Sequence, residues 1–130
     1  MSVTFRKKIK GAPFTIRLSH RHRFGLDLLA RTQGRNHSAV IEKALEREIA
    51  EGLALPEQGN MLDFLWDPDE ADRFVLMAQH FPRLLTYQEE IQWKEIRETE
   101  RFWRGGKPNL PAIRREYEDL KQRSTEKAEE

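Results

Sequence analysis

The sequence predicts a mainly α-helical protein with one N-terminal strand, which pairs between subunits, and helices running on to the C-terminus. Three observations lead there. Residues Pro13-Phe14-Thr15-Ile16-Arg17-Leu18 alternate apolar and polar side chains, the period of a half-buried strand. Ser19, Gly34 and Asn36-His37-Ser38 then punctuate two helical patterns without a second strand to follow. A lone six-residue strand leaves its backbone donors and acceptors unpaired, so the economical partner is the same strand of a second copy.

Within that strand Phe14, Ile16 and Leu18 share one side, and Thr15 and Arg17 share the other. The apolar side must cover a core, and the polar side is free to meet a ligand. Ser19 is a good N-cap for the first helix, because its hydroxyl can accept an otherwise unpaired backbone N–H. The expected buried stripe of that helix is Leu26, Leu29 and Ala30, with His22 one turn earlier. Phe24 and Leu28 fall on nearly the opposite side, an apolar ridge that another part of the protein or another subunit should cover. Gly34 supplies the left-handed residue that ends a helix. Asn36 then caps a second helix with Val40, Ile41, Ala44, Leu45, Ile49 and Leu53 as its buried positions, closed by Gly52 and Pro56.

A loop over residues 56–60 leads to an acidic, aromatic and helical second half. Asp67-Pro68-Asp69-Glu70 reads as a cap, a first-turn proline and negative charges at the positive end of a helix dipole. Ala71, Phe74, Val75, Ala78 and Phe81 recur there at helical spacing. Thr86-Tyr87-Gln88-Glu89 has the form of a capping box. It opens a helix expected to run through Ile91, Trp93, Ile96 and Trp103 to a stop at Gly105-Gly106. Asn109-Leu110-Pro111 starts a last helix with the stripe Leu110, Ile113, Tyr117 and Leu120, and the residues from Ser124 should fray. The expected organisation is a basic arm over 1–12, a strand-helix-helix module over 13–53, a helical extension over 61–123 and a charged tail over 124–130.

Hydrophobic residues make up 38% of the 130 and charged residues 35%, a lean core that favours oligomerisation. There is no cysteine, which excludes a disulfide scaffold, a thiolate metal site and thiol catalysis. No apolar run approaches the roughly 18 residues of a membrane span, and the basic N-terminus lacks an apolar signal region. A cytoplasmic protein without a membrane partner is the expectation. The net charge of +1 conceals an asymmetry. Residues 1–37 hold nine Lys and Arg against Asp27 alone, a charge of +8, and the remainder carries −7. A local positive field of this kind attracts polyanions, and a dimer doubles it. Within the arm Val3 and Phe5 allow a short extra strand, although Arg6, Lys7, Lys8 and Lys10 read better as a mobile basic lead-in.

The stretch from Phe14 to Gly52, about a third of the chain, resembles the ribbon-helix-helix family, the fold of the Arc, MetJ and CopG repressors. The resemblance rests on the order strand, Ser cap, helix, Gly stop, polar cap and second helix. It implies a homodimer, possible as a dimer of dimers on DNA, whose two strands enter the major groove of double-stranded DNA as an antiparallel ribbon. By position it assigns base reading to Pro13, Thr15 and Arg17, and phosphate contact to Asn36, His37 and Ser38. The chemistry agrees. Arg can donate two hydrogen bonds to guanine O6 and N7, and Thr can use its hydroxyl or methyl group. A proline offers no donor at the first reading position, which leaves it apolar or shape contact only. Helix N-termini favour anions, and Arg6, Lys7, Lys8 and Lys10 would add sequence-independent attraction to the phosphates. The implied function is sequence-specific transcription regulation as a repressor. Two other roles share such a module: a plasmid transfer or partition accessory protein, and an antitoxin whose residues 61–123 would bind a protein partner.

Other chemistry has cheaper explanations. His20 and His22 lie on different sides of a helix and His37 stands apart, so no metal ligand set is assigned. Asp67, Asp69, Glu70 and Asp72 suit a helix dipole better than acid–base catalysis. Ser19 beside His20 is sequence adjacency. Gly105-Gly106-Lys107 follows a helix, whereas a phosphate-binding loop precedes one. Trp66, Trp93 and Trp103 are expected in core or interface. No cofactor, metal or catalytic residue is assigned, and no enzyme is expected.

Overall fold

The computed structural model describes residues 11–57 and 59–130. They form six α-helices and two small antiparallel two-stranded sheets: α1 (His20–Gln33), α2 (His37–Gly52), β1 (Ala54–Leu55), β2 (Gly59–Asn60), α3 (Met61–Leu65), α4 (Glu70–His80), α5 (Tyr87–Glu98), β3 (Trp103–Arg104), β4 (Lys107–Pro108) and α6 (Leu110–Ala128). Short 3-10 turns sit at Pro82–Leu84 and Glu100–Phe102. The mainly helical class is as expected. The strand expected over residues 13–18 differs: residues 11–19 belong to no helix or strand of the single chain. Among the described residues no strand pairs with that segment.

The chain divides into two compact units, residues 1–48 and 49–130, with the division inside α2. In the first, Ser19 caps α1 by accepting the His22 N–H at 3.1 Å. Gly34 closes it at φ 63°, a conformation that costs a residue with a Cβ. Asn36 Oδ1 accepts the Ala39 N–H at 2.8 Å and caps α2. All three local signals act as read. The burial expected of these helices does not follow: among the described residues of this unit Val40 alone is a buried apolar side chain, while Leu29, Ile41, Ala44 and Leu45 are exposed and Leu26 and Ala30 half-buried. Two helices and a lead-in have too few apolar neighbours to enclose one another.

The second unit has a closed core. Phe74, Leu85, Trp93, Ile96, Phe102, Ile113, Tyr117 and Leu120 are its large buried side chains, supplied by α4, α5, α6 and the turns before α5 and β3. Phe74 meets Trp93 edge-on at 6.2 Å, an arrangement favoured by the ring quadrupoles. Asp72 is buried and receives a bidentate pair from Arg114 at 2.8 and 2.6 Å, tying α4 to α6. Such a pair satisfies both carboxylate oxygens at once. Burial, reinforced by the neighbouring Glu70 charge, pushes the pKa of the Tyr117 hydroxyl up, so it stays neutral.

The caps of this unit follow the sequence with two shifts. Thr86 and Glu89 form the complete capping box of α5, and Asn109 caps α6. For α4 the cap is Asp69, whose carboxylate accepts from Ala71 and Asp72. Asp67 instead accepts the Asp69 N–H at 2.8 Å, which leaves Pro68 outside the helix. The loop expected over 56–60 is partly a tight hairpin, with Ala54 opposite Asn60 and Leu55 opposite Gly59, and Asn60 then caps α3. The helix of Trp93 ends at Glu98, so Trp103 starts β3 and Gly105-Gly106 forms a hairpin turn rather than a helix stop. The expected fraying from Ser124 is absent: α6 continues to Ala128, and Ser124 is buried with its hydroxyl donating to the Lys121 carbonyl at 2.8 Å. Trp66 departs from the core expectation. It is 60% exposed, with the Arg73 guanidinium 5.0 Å from its ring centre.

Candidate nucleic-acid interface

The first unit carries an open apolar groove of about 1420 Å³. Phe14, Ile16 and Leu18 line it from the lead-in, Leu28 from α1, and Ile41 and Leu45 from α2. All six are exposed, from Ile41 at 38% to Phe14 at 87%. Thr15 and Arg17 are not among the lining residues and are exposed. The alternation in the sequence thus separates the segment into a groove-lining set and an outward set. No carboxylate among the described residues lies within 4.0 Å of Arg17. A guanidinium carries five N–H donors in a fixed fork, the geometry that an outside acceptor such as guanine meets. Pro13 does not follow the same division, since it lines the groove with Phe14.

The start of α2 brings Asn36, His37 and Ser38 together. Asn36 uses its side chain as the cap, and His37 Nε2 donates to Asp27 Oδ1 at 2.7 Å. Among the described residues no acceptor within the chain takes the backbone N–H of His37 or Ser38. What this helix start offers an anion is therefore two backbone donors and the dipole, with the imidazole already committed. Asn36 and Ser38 also border the groove. Sequence reasoning missed the His37–Asp27 contact, because the partners are ten positions apart on different helices. Asp27 is the sole carboxylate in the first 37 residues, and it is engaged by His37 and, at 4.0 Å, by Arg23. Among the described residues Arg17, Arg21, Arg31 and Arg35 have no carboxylate within 4.0 Å.

Arg6, Lys7, Lys8 and Lys10 lie outside the described residues. His20 and His22 do not converge with His37; the His22 Nδ1 sits 2.8 Å from Ser19 Oγ at the helix cap. Among the described residues no three His, Asp or Glu side chains group as a metal site would require, and no helix is long and apolar enough to cross a membrane. Comparison with known proteins adds no assignment: no family model, no curated protein and no solved structure matches this chain.

Proposed function

We propose that this chain is a homodimeric, sequence-specific double-stranded DNA-binding regulator acting as a repressor, with a ribbon-helix-helix module at its N-terminal end. Residues 13–18 of two copies pair antiparallel, their Phe14, Ile16 and Leu18 side chains close the two grooves into one core, and Thr15 and Arg17 face the bases. The observation that carries this reading is the division of that segment: its apolar side chains line the groove and its two polar ones stand outside it. A two-stranded ribbon fits the major groove, where Arg can pair bidentately with guanine. The uncompensated basic charge of residues 1–37 supplies sequence-independent attraction. An antitoxin tail that orders only on its toxin would lack a core of its own, whereas residues 49–130 enclose Phe102, Ile113 and Leu120 completely.

The test is selection of bound sequences from random duplexes with the full chain, followed by gel shifts on the selected site. Arg17→Ala should weaken that site by about 1–3 kcal/mol and relax preference at one position, leaving the dimer intact. An unchanged sequence preference removes Arg17 from base reading. A chain that stays monomeric by sedimentation at micromolar concentration overturns the ribbon.

A further inference from the structure

The hairpin β3–β4 places two cations against each other. Arg104 and Lys107 are directly opposite in the ladder, joined by Gly105 and Gly106. Directly paired residues of an antiparallel ladder project from the same face with Cβ atoms about 5 Å apart, and like charges there repel. Among the described residues neither cation has a carboxylate within 4.0 Å. Their neighbour Arg101, by contrast, holds Glu116 bidentately at 2.8 and 2.6 Å. Gly105 at φ 59° and Gly106 at φ 79° make the turn that two-residue hairpins prefer. Neither N–H is taken up by an acceptor among the described residues, and neither residue has a side chain to bar close approach.

The tip is firmly held. Trp103 donates its indole N–H to the Ile96 carbonyl at 2.8 Å and packs on Trp93 at 6.1 Å. The Asn109 N–H donates to the Phe102 carbonyl at 2.8 Å just beyond the strands. A repulsive pair on a well-anchored hairpin, flanking two unused backbone donors, is the arrangement that an oxyanion stabilises. We propose that the Arg104–Lys107 tip binds a backbone phosphate of double-stranded DNA, a second contact independent of the ribbon. The proposal rests on the DNA-binding reading above and extends it to residues 49–130. The two unesterified oxygens of a backbone phosphate have lone pairs enough to accept from two cations and two N–H donors together, and polyglutamate separates this acceptor from a peptide carboxylate.

The experiment measures duplex affinity of the full chain against salt, for wild type, the Arg104→Gln/Lys107→Gln double variant, Arg83→Gln as an exposed cation elsewhere, and Arg17→Ala. Backbone amide shifts of Gly105 and Gly106 on duplex addition to the wild type give a readout that needs no variant. The double variant should flatten the slope of log affinity against log salt by about one for each hairpin engaged, equally for all sequences. The two glycine amides should shift. An unchanged slope, unmoved amides, an equal loss per charge from Arg83→Gln, or shifts caused by polyglutamate and not by duplex each overturns the proposal. If Arg17→Ala alters binding and the double variant does not, the hairpin fails and the ribbon stands. The reverse result keeps the hairpin and removes base reading by Arg17. A wild-type chain that binds no duplex overturns both.

Discussion

Residues 49–130 bury twelve apolar side chains together, whereas among the described residues of 1–48 the corresponding set is Val40 alone. The two units have similar raw material. Residues 14–45 include Phe14, Ile16, Leu18, Phe24, Leu28, Leu29, Ile41 and Leu45, as apolar as anything in α4 to α6. The difference lies in geometry. Three long helices can surround one another, and their carboxylates and cations then pair across the gaps, as Arg114 does with Asp72 and Arg123 with Glu95. Two helices and a lead-in form an open groove instead. One unit completes its fold within a single chain, and the other leaves its apolar surface available to a second copy.

The largest effect expected from breaking this contrast is Leu45→Asp. Leu45 is 54% exposed in the single chain, so the substitution should leave α2 intact there. In the proposed dimer it would bury an unpaired charge in each copy, at several kcal/mol per ion, and sedimentation should show monomers. Unaltered dimerisation would mean that the groove is not the interface. Next in size is Phe102→Ala in the other unit. Phe102 is fully buried, and its truncation should cost about 3–5 kcal/mol. All three tryptophans lie in residues 49–130, so their fluorescence reports this unfolding alone, and dimerisation through the groove should be unchanged.

The smallest effect sharpens the contrast by pH. Hydrogen bonding to Lys121 holds the Glu70 pKa below the usual value, and Arg101 does the same for Glu116. A depressed folded-state pKa contributes stability above the unfolded value, lost as pH falls through the folded one. Tryptophan-monitored stability should therefore decline below about pH 4.5, modestly, since both carboxylates are well solvated. Tyr117 works at the other end: its raised pKa makes the same unit lose stability as pH climbs past the ordinary tyrosine value of 10.0. A shallower acid limb in Lys121→Met than in wild type would assign the Glu70 contribution, the Arg101–Glu116 part remaining.

Legibility followed the range of the interaction. Ser19, Gly34, Asn36, Thr86 with Glu89, and Asn109 act on backbone groups within four residues, so residue type and position were enough to place them. The stripes of α4 and α6 were equally readable, because helical period brings their residues to one face. Gly105-Gly106 is ambiguous in sequence because a glycine pair ends a helix or turns a hairpin with the same left-handed φ. Only the pairing of Trp103 with Pro108 decides between them. Ser124 reads as a fraying end because the chain nearby is charged. A contact from α5 holds that turn, with Gln88 Nε2 donating to Thr125 Oγ1 at 2.7 Å. For the candidate interface, the alternation of residues 13–18 was visible, but the groove-side position of Pro13 and the His37–Asp27 contact were not.

What the chain's own letters determined is the helical class, most helix caps, the alternation of the lead-in and the separation of charge, because each depends on neighbours a few positions away. What the tertiary structure decided is which apolar faces are enclosed. Burial needs enough surfaces from distant parts of the chain to exclude water together, and residues 49–130 supply them while residues 11–48 do not.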